Sequence, residues 1–357
     1  MLRIDHQTNE SINRVCDELA NHLKKNEGLT LENLEIVNIA NRSFSTIVFL
    51  NAKTSKGTQR MVMKKVVHDP INMAITKKEN QAVVEFEILK KLYPQFKEVE
   101  GCAVPRPILV IPEMEVFVMD YVEGRFLSEE LKYARYFSPP SKFEKLQRYY
   151  YLCGRWLCYF QKFTGFEYAG VEAFDELIDR CKVRLNEISK IRGCDSTRGI
   201  CEQTLDFLNQ QLKEIKKGDV IISGRHGDFG HWNILVNKDV VIVFDLMGYA
   251  KEPIIYDVLK ILNSIEYWKN HPAYSSSKLE VLKKNFLAGF GYLPQLSSPV
   301  IAICEMYYIV NTIYACIYNP GKRIDERLMR IQVLRKHLKY LRKIQNGRSS
   351  GLGLSET

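Results

Sequence analysis

Ile12, Val15, Leu19 and Leu23 recur at three- and four-residue intervals, which predicts an amphipathic helix that Gly28 ends. The rhythm then changes. "LEIVNIA", "STIVFLNA" and "QRMVMKKVV" are dense in β-branched and apolar residues and predict three strands, with Lys56-Gly57 as the turn between the last two. "KKENQAVVEFEILKKLYPQF" returns to helical spacing, with Val84, Ile88 and Leu92 on one face. Pro105 and Pro107 punctuate, and "ILVIP" and "EVFVMDYV" read as a further strand pair. Three strands, a helix and two strands make a small antiparallel sheet with one helix packed on it.

Beyond Gly124 the pattern is mostly helical, through "SKFEKLQRYYYLCGRWLCYFQKF", "AFDELIDRCKVRLNEISKI" and "ICEQTLDFLNQQLKEIKK". Tyr149-Tyr150-Tyr151 with Trp156 and Phe160 read as helix core. One stretch departs from this. Ile234–Val236 and Val240–Phe244 flank Asn237-Lys238-Asp239 and predict a short hairpin inside the helical lobe. Helices resume from Ile255, and "NGRSSGLGLSET" is small and polar, so a disordered tail is expected. The organisation is two lobes, residues 1–122 and 123–347, and a tail, 348–357. No internal repeat is seen.

At 357 residues the chain is long enough for two cores. Its nine cysteines are odd in number and contain no C-x-x-C pair, which speaks against a disulfide framework or a zinc site and for a reducing, cytoplasmic setting. The start has no apolar run of signal-peptide length. "PVIAICEMYYIVNTIYACIY" approaches membrane-span length, but Glu305 and Asn311 lie mid-run, and a buried core helix is the expectation. The net charge is +9, and between Lys322 and Arg348 ten basic residues face only Asp325 and Glu326. Such a surface suits anionic partners and not polycations. Within it Leu328, Ile331, Leu334, Leu338 and Leu341 form a stripe expected to pack on the lobe; peripheral contact with an anionic membrane at its inner face is the second reading.

The chemistry gathers around "HGDFGHWN", His226 to Asn233. Phosphoryl transfer needs a carboxylate near the acceptor hydroxyl, oxygen ligands for magnesium, and a lysine on the nucleotide phosphates. Asp228, on a loop after Gly227, suits the first role. Asn233 offers a neutral oxygen and Asp245, after the strand "VIVF", a carboxylate for Mg²⁺. Lys64 ends the apolar stretch Met61-Val62-Met63, and Glu85, twenty-one residues on, is placed to pair with it. His226 reads as a brace for the loop. No G-x-x-x-x-G-K-[ST] occurs, so the Walker A type is excluded.

These residues resemble the aminoglycoside phosphotransferase-like kinases, a small-molecule branch of the protein-kinase-like fold. "HGDFGHWNILV" resembles the catalytic loop, "VIVFDLMG" the metal-binding strand end, "EFEILKKL" the lobe-bridging helix and "EVFVMDYVEGRFL" the hinge, in order over roughly residues 33 to 320. The resemblance implies a bilobal α+β fold with a small antiparallel-sheet lobe and a larger helical lobe. It implies adenine binding by backbone groups of Asp120, Tyr121 and Val122. It also implies phosphate contacts from Ser43 and Ser45 in "ANRSFST", which lacks the usual glycine. Gly230 stands where the family often has a second histidine, and His231 follows it. Pro253 and Asp257 match a supporting aspartate, with one extra residue between them.

The expected activity is Mg²⁺-dependent transfer from ATP or GTP to a hydroxyl of a small neutral or anionic acceptor: a sugar, a sugar phosphate or a glycan. The alternatives are an aminoglycoside or other antibiotic kinase and a nucleotide-binding pseudokinase scaffold. Asp228, Asn233 and Asp245 together favour turnover. A nucleic-acid-binding role would rest on the basic C-terminal segment alone, without aromatic-interleaved basic motif or zinc pattern.

Overall fold

The computed structural model describes residues 6–42, 44–67, 80–190, 195–291, 297–318 and 324–345, and the segment 348–357 lies outside it. The chain divides into two compact units, residues 1–125 with 233–249, and 126–232 with 250–357. The hairpin read from the sequence as part of the second lobe therefore groups with the first unit.

In the first unit the leading helix, His6–His22, continues in a wider turn to Glu27 and stops at Gly28. Gly28 has φ +65, a conformation that costs a residue without Cβ little. Strands Leu31–Asn41, Ser45–Thr54, Gly57–Val66, Pro107–Ile111 and Val116–Asp120 form one five-stranded sheet in which every neighbouring pair is antiparallel. Alternation along Gly57–Val66 gives the sheet two working faces. Met61 and Met63 join the core with Val15, Leu19 and Leu23 of the leading helix. Lys64 belongs to the opposite face and is 3% exposed.

The helix Gln81–Phe96 starts at Asn80, whose side chain accepts the Val83 N–H. Its buried positions include Ala82, Glu85, Ile88, Leu89 and Leu92. Ile88 and Leu92 are buried as the spacing predicts, whereas Val84 is only half-buried and the buried face takes in Glu85. The second hairpin pairs Ile234 with Val243 through Asn237 with Val240, and Val241 and Ile242 also pair with Cys102 and Ala103.

The second unit is built on helices Pro140–Thr164, Asp175–Ser189, Asp195–Glu214, Ile255–Trp268, Ser276–Phe290, Ser298–Tyr318 and Ile324–Gln345. A small antiparallel sheet of Glu167–Ala169, Val220–Arg225 and Ala250–Pro253 supports them. Helices Pro140–Thr164 and Ser276–Phe290 cross so closely that a Cβ on Gly154 would lie 2.0 Å from the Phe286 carbonyl oxygen. Tyr149, Tyr150, Trp156 and Phe160 are buried there, while Tyr151 is exposed. Helix Ser298–Tyr318 is long and apolar enough to cross a membrane, but most of it is buried inside this unit, Glu305 included. The last helix packs with Met329, Val333 and Leu341 inward. Of the expected stripe Leu341 is buried and Leu334 packs half-buried, whereas Leu328 and Ile331 are exposed, because Met329 and Val333 take the inward positions there.

Candidate active site

In the first unit the twelve-residue interval between Asn233 and Asp245 is a product of hairpin register. Four paired residues on each strand bring Asn233 and Phe244 opposite one another at the open end, where the Phe244 N–H donates to the Asn233 carbonyl at 3.2 Å. Asn233 is 1% exposed. Asp245 follows at φ +69, a left-handed conformation that aspartate tolerates better than most residues and that clusters at functional sites. Its carboxylate turns to Lys64, with Oδ1 2.5 Å from Nζ.

Lys64 Nζ also donates to Glu85 Oε2 at 2.7 Å, and Glu85 Oε1 accepts the Leu246 N–H at 3.0 Å. One glutamate thus ties the lysine strand to the turn that carries Asp245. Burial opposes the charge on Lys64, but Glu85 and Asp245 outweigh it and raise the lysine above its usual range, so it stays an ammonium. Lys64 and Glu85 are joined as the sequence expects.

Asn233 and Asp245 are hard oxygen donors of the kind magnesium prefers, one neutral and one charged. Among the described residues no group of three or more His, Cys, Asp or Glu converges as a metal site. The donor set therefore fits an ion that completes its shell with water and phosphate oxygens and does not fit a protein cage.

The hinge is more occupied than the sequence suggests. The Asp120 N–H donates to the Arg106 carbonyl at 2.9 Å, and the Tyr121 N–H to the Arg60 carbonyl at 3.0 Å. Arg106 also grips the Asp120 carboxylate with Nε at 2.8 Å and Nη2 at 3.1 Å, and its Nη1 reaches Glu27 at 3.0 Å. Arg60 lies over the Tyr121 ring, 3.8 Å from its centroid. Of the three residues, only Val122 has an N–H without a backbone partner among the described residues. Ser45 is buried and its carbonyl accepts the Arg42 N–H at 2.8 Å. Ser43 lies outside the described residues.

In the second unit the loop after Arg225 is pinned from below. Asp257, 1% exposed in the first turn of helix Ile255–Trp268, accepts the His226 N–H at 2.6 Å and the Gly227 N–H at 3.1 Å. The extra residue between Pro253 and Asp257 does not disturb this. His226 is fully buried against Trp156 and Phe229, and its Nδ1 accepts the Asp228 N–H at 3.3 Å. His231 is also buried, with Nε2 on the Tyr150 hydroxyl and Nδ1 2.8 Å from the Ser264 hydroxyl. Burial pushes it down to about 3, so it is neutral and braces the loop.

Asp228 itself is 45% exposed, with a donor on each oxygen: Lys260 Nζ 3.0 Å from Oδ1, and Trp232 Nε1 2.7 Å from Oδ2. Burial alone would raise its carboxyl. The Lys260 charge and the hydrogen bonds from Trp232 and Lys260 outweigh that and hold it below the usual range. A carboxylate so placed is ionised and ready to accept a proton. Lys260 and Trp232 were not singled out in the sequence. The available signal was helical spacing, since Lys260 is one turn beyond Asp257. Gly230 makes room for the tryptophan: a Cβ there would lie 2.6 Å from the indole Cζ2.

The sequence matches no protein-family model and no curated protein. Solved structures do match. Glucosamine kinase in complex with glucosamine, ADP and inorganic phosphate aligns at a TM-score of 0.61 and 14% identity, over 91% of this chain and 86% of that one. Amicoumacin kinase in complex with AMP-PNP, Ca²⁺ and Ami aligns at 0.56 and 15%, over 95% and 96%. An ethanolamine kinase of Plasmodium vivax aligns at 0.52 and 12%, over 97% and 91%. A small antiparallel-sheet region, a mainly helical remainder and these alignments over nearly the whole chain give the protein the bilobal fold of the aminoglycoside phosphotransferase-like small-molecule kinases.

Proposed function

We propose that the protein transfers the terminal phosphoryl group of ATP or GTP to a hydroxyl of a small molecule, with a sugar, a sugar phosphate or a glycan as the acceptor class. The observation that carries this reading is the Lys64–Glu85–Asp245 arrangement. A buried ammonium between two carboxylates is a costly structural device, and it suits a site where polyphosphate charge must be met. In this reading Lys64 takes a nucleotide phosphate. Asn233 and Asp245 hold magnesium, which when bound neutralises charge on the phosphates, and Val122 offers its N–H to the base. Ser45, with Ser43, serves the phosphates.

Asp228 supplies the acceptor step. It accepts the proton of the hydroxyl while that oxygen bonds to the γ-phosphorus. The bond from phosphorus to the bridging oxygen breaks, and a nucleoside diphosphate leaves with the electron pair. The structural neighbours act on small hydroxyl or amino-alcohol compounds by their names, which supports a small-molecule acceptor for this chain. The eight described cysteines form no disulfide, which suits the reducing, cytoplasmic setting we assign it.

The test pairs binding with transfer. Mg²⁺ with ATP or GTP should raise the melting temperature, and Asp245→Ala should remove the metal-dependent part of the shift. Asp228→Asn should keep nucleotide affinity and slow single-turnover transfer by roughly 10²–10⁴-fold. Wild-type transfer in Asp228→Asn would take this loop out of the reaction.

A further inference from the structure

The second unit contains a cavity of about 1160 Å³ whose wall includes Trp232 and Lys260, the two side chains that hold Asp228. It exceeds the range of about 300–1,000 Å³ usual for small-ligand pockets. Its charges are not evenly distributed. Lys269 and Lys283 are matched by Glu266 and Glu280: Lys269 Nζ is 2.5 Å from Glu266 and also pairs with Glu280, and Lys283 Nζ is 2.8 Å from Glu266. That part of the wall is neutral as a group.

The part supplied by the last helix is not neutral. Arg330, Lys336 and Lys339 line the cavity from helix Ile324–Gln345, and Glu326 is the only carboxylate of that helix among the described residues that line it. Lys336 and Lys339 are exposed, and no ion pair involves them among the described residues. Two buried nitrogens on the wall, Asn263 Nδ2 and Arg330 Nε, have no hydrogen-bond partner among the described residues. Both are donors. Buried donors are nearly always satisfied in folded proteins, so an acceptor-rich ligand is the natural complement.

We infer that this cavity is the acceptor site and that it selects hydroxy compounds carrying an anionic group, with Arg330, Lys336 and Lys339 as the residues that read the anion. The inference rests on the kinase reading above and narrows its acceptor. A ring lying against the exposed Trp232 puts hydroxyls beside Asp228. The anionic group then extends along the cavity to the last helix. The polycationic acceptors of an antibiotic kinase meet the wrong sign on that wall.

The experiment measures binding by calorimetry with AMP-PNP and Mg²⁺ present, and transfer from ATP separately, for matched probes: glucose with glucose 6-phosphate, and glucosamine with glucosamine 6-phosphate. Wild type should bind the phosphorylated member of each pair at least tenfold more tightly. Lys336→Glu with Lys339→Glu should remove that preference. Both residues are exposed, so the double variant should fold; Lys336→Gln with Lys339→Gln, giving an intermediate loss, checks this. Equal or tighter binding of the unphosphorylated members overturns the inference, as does a preference that survives charge reversal. Neither result touches the kinase reading, which falls instead if nucleotide does not bind or if Asp228→Asn does not slow transfer.

Discussion

The Lys260 ammonium lies 3.0 Å from Asp228 Oδ1, so the carboxylate assigned to deprotonate the acceptor already has a cation beside it. That cation stabilises the ionised form of the base. Lys260 Nζ also lies 5.6 Å from the centroid of the Trp232 ring and 5.9 Å from that of Tyr308.

The first prediction follows from the sign of this interaction. Asp228 is depressed below the usual carboxylate range, chiefly by Lys260 against the effect of burial. The acid limb of the rate profile should therefore lie low, since the base stays ionised until pH falls through its depressed value. Lys260→Met leaves the burial and removes the charge, so the limb should move to higher pH. A pH–rate series on both proteins decides it, and an unmoved limb would separate Lys260 from the base.

The second concerns two adjacent lysines. Lys64 is buried between Glu85 and Asp245, whereas Lys65 is half-buried on the alternate face. Lys64→Ala leaves a fully buried carboxylate without its cation and should cost about 3–5 kcal/mol in denaturant unfolding. Lys65→Ala should cost no more than about 1 kcal/mol. Equal losses would contradict the strand register.

Much of this was legible in the sequence, for physical reasons that differ by residue. The period-two alternation of Met61-Val62-Met63-Lys64 marks Lys64 as the lysine facing away from the methionine core. The spacing from Asn233 to Asp245 is that of a short hairpin, which local pattern reveals. Other features depend on contacts that no local pattern encodes. The hinge was read as three free backbone groups, but the register Met61 with Asp120 carries the strand pairing to the hinge, and the Tyr121 N–H is taken by the Arg60 carbonyl. The small sheet with Glu167–Ala169 and Ala250–Pro253 went unseen because these short strands contain no β-branched residue, unlike the equally short but valine- and isoleucine-rich hairpin strands. Lys260 looked like one more basic residue of a helical lobe; only tertiary packing sets it on Asp228.

The third prediction uses His231. Its folded value is near 3 against an ordinary 6.5, because burial disfavours the charge. The unfolded chain takes up a proton below 6.5 and the folded chain does not. The stability it contributes is thus fully present above about 6.5 and is lost as pH falls towards about 3, at about 1.4 kcal/mol per pH unit. His231→Gln cannot titrate. Its stability, whatever its absolute value, should lose this part of the slope between those limits when unfolding is followed by denaturant at a series of pH values. Parallel slopes in the two proteins would mean that His231 is charged in the folded loop.

The last prediction returns to the loop itself. Gly230 has no side chain, and the Trp232 indole occupies the space one would fill, with Cζ2 2.6 Å and Cε2 2.8 Å from where a Cβ would stand. Such a contact cannot be absorbed by small shifts, so Gly230→Ala must move the ring. Moving it breaks the bond from Trp232 Nε1 to Asp228 Oδ2 and leaves the carboxylate with Lys260 as its named side-chain donor. Trp232→Phe separates the two effects, since it keeps an aromatic ring in place and removes only the N–H. If the hydrogen bond positions Asp228, both variants should lower the transfer rate by a similar factor, of about tenfold for the loss of roughly 1.4 kcal/mol of a charge-assisted bond. If the ring's place is what matters, Trp232→Phe should retain near wild-type transfer while Gly230→Ala does not. Single-turnover rates at saturating nucleotide, with indole fluorescence reporting whether Trp232 has moved in Gly230→Ala, distinguish these outcomes. Full transfer in both variants would remove Trp232 from the positioning of the base.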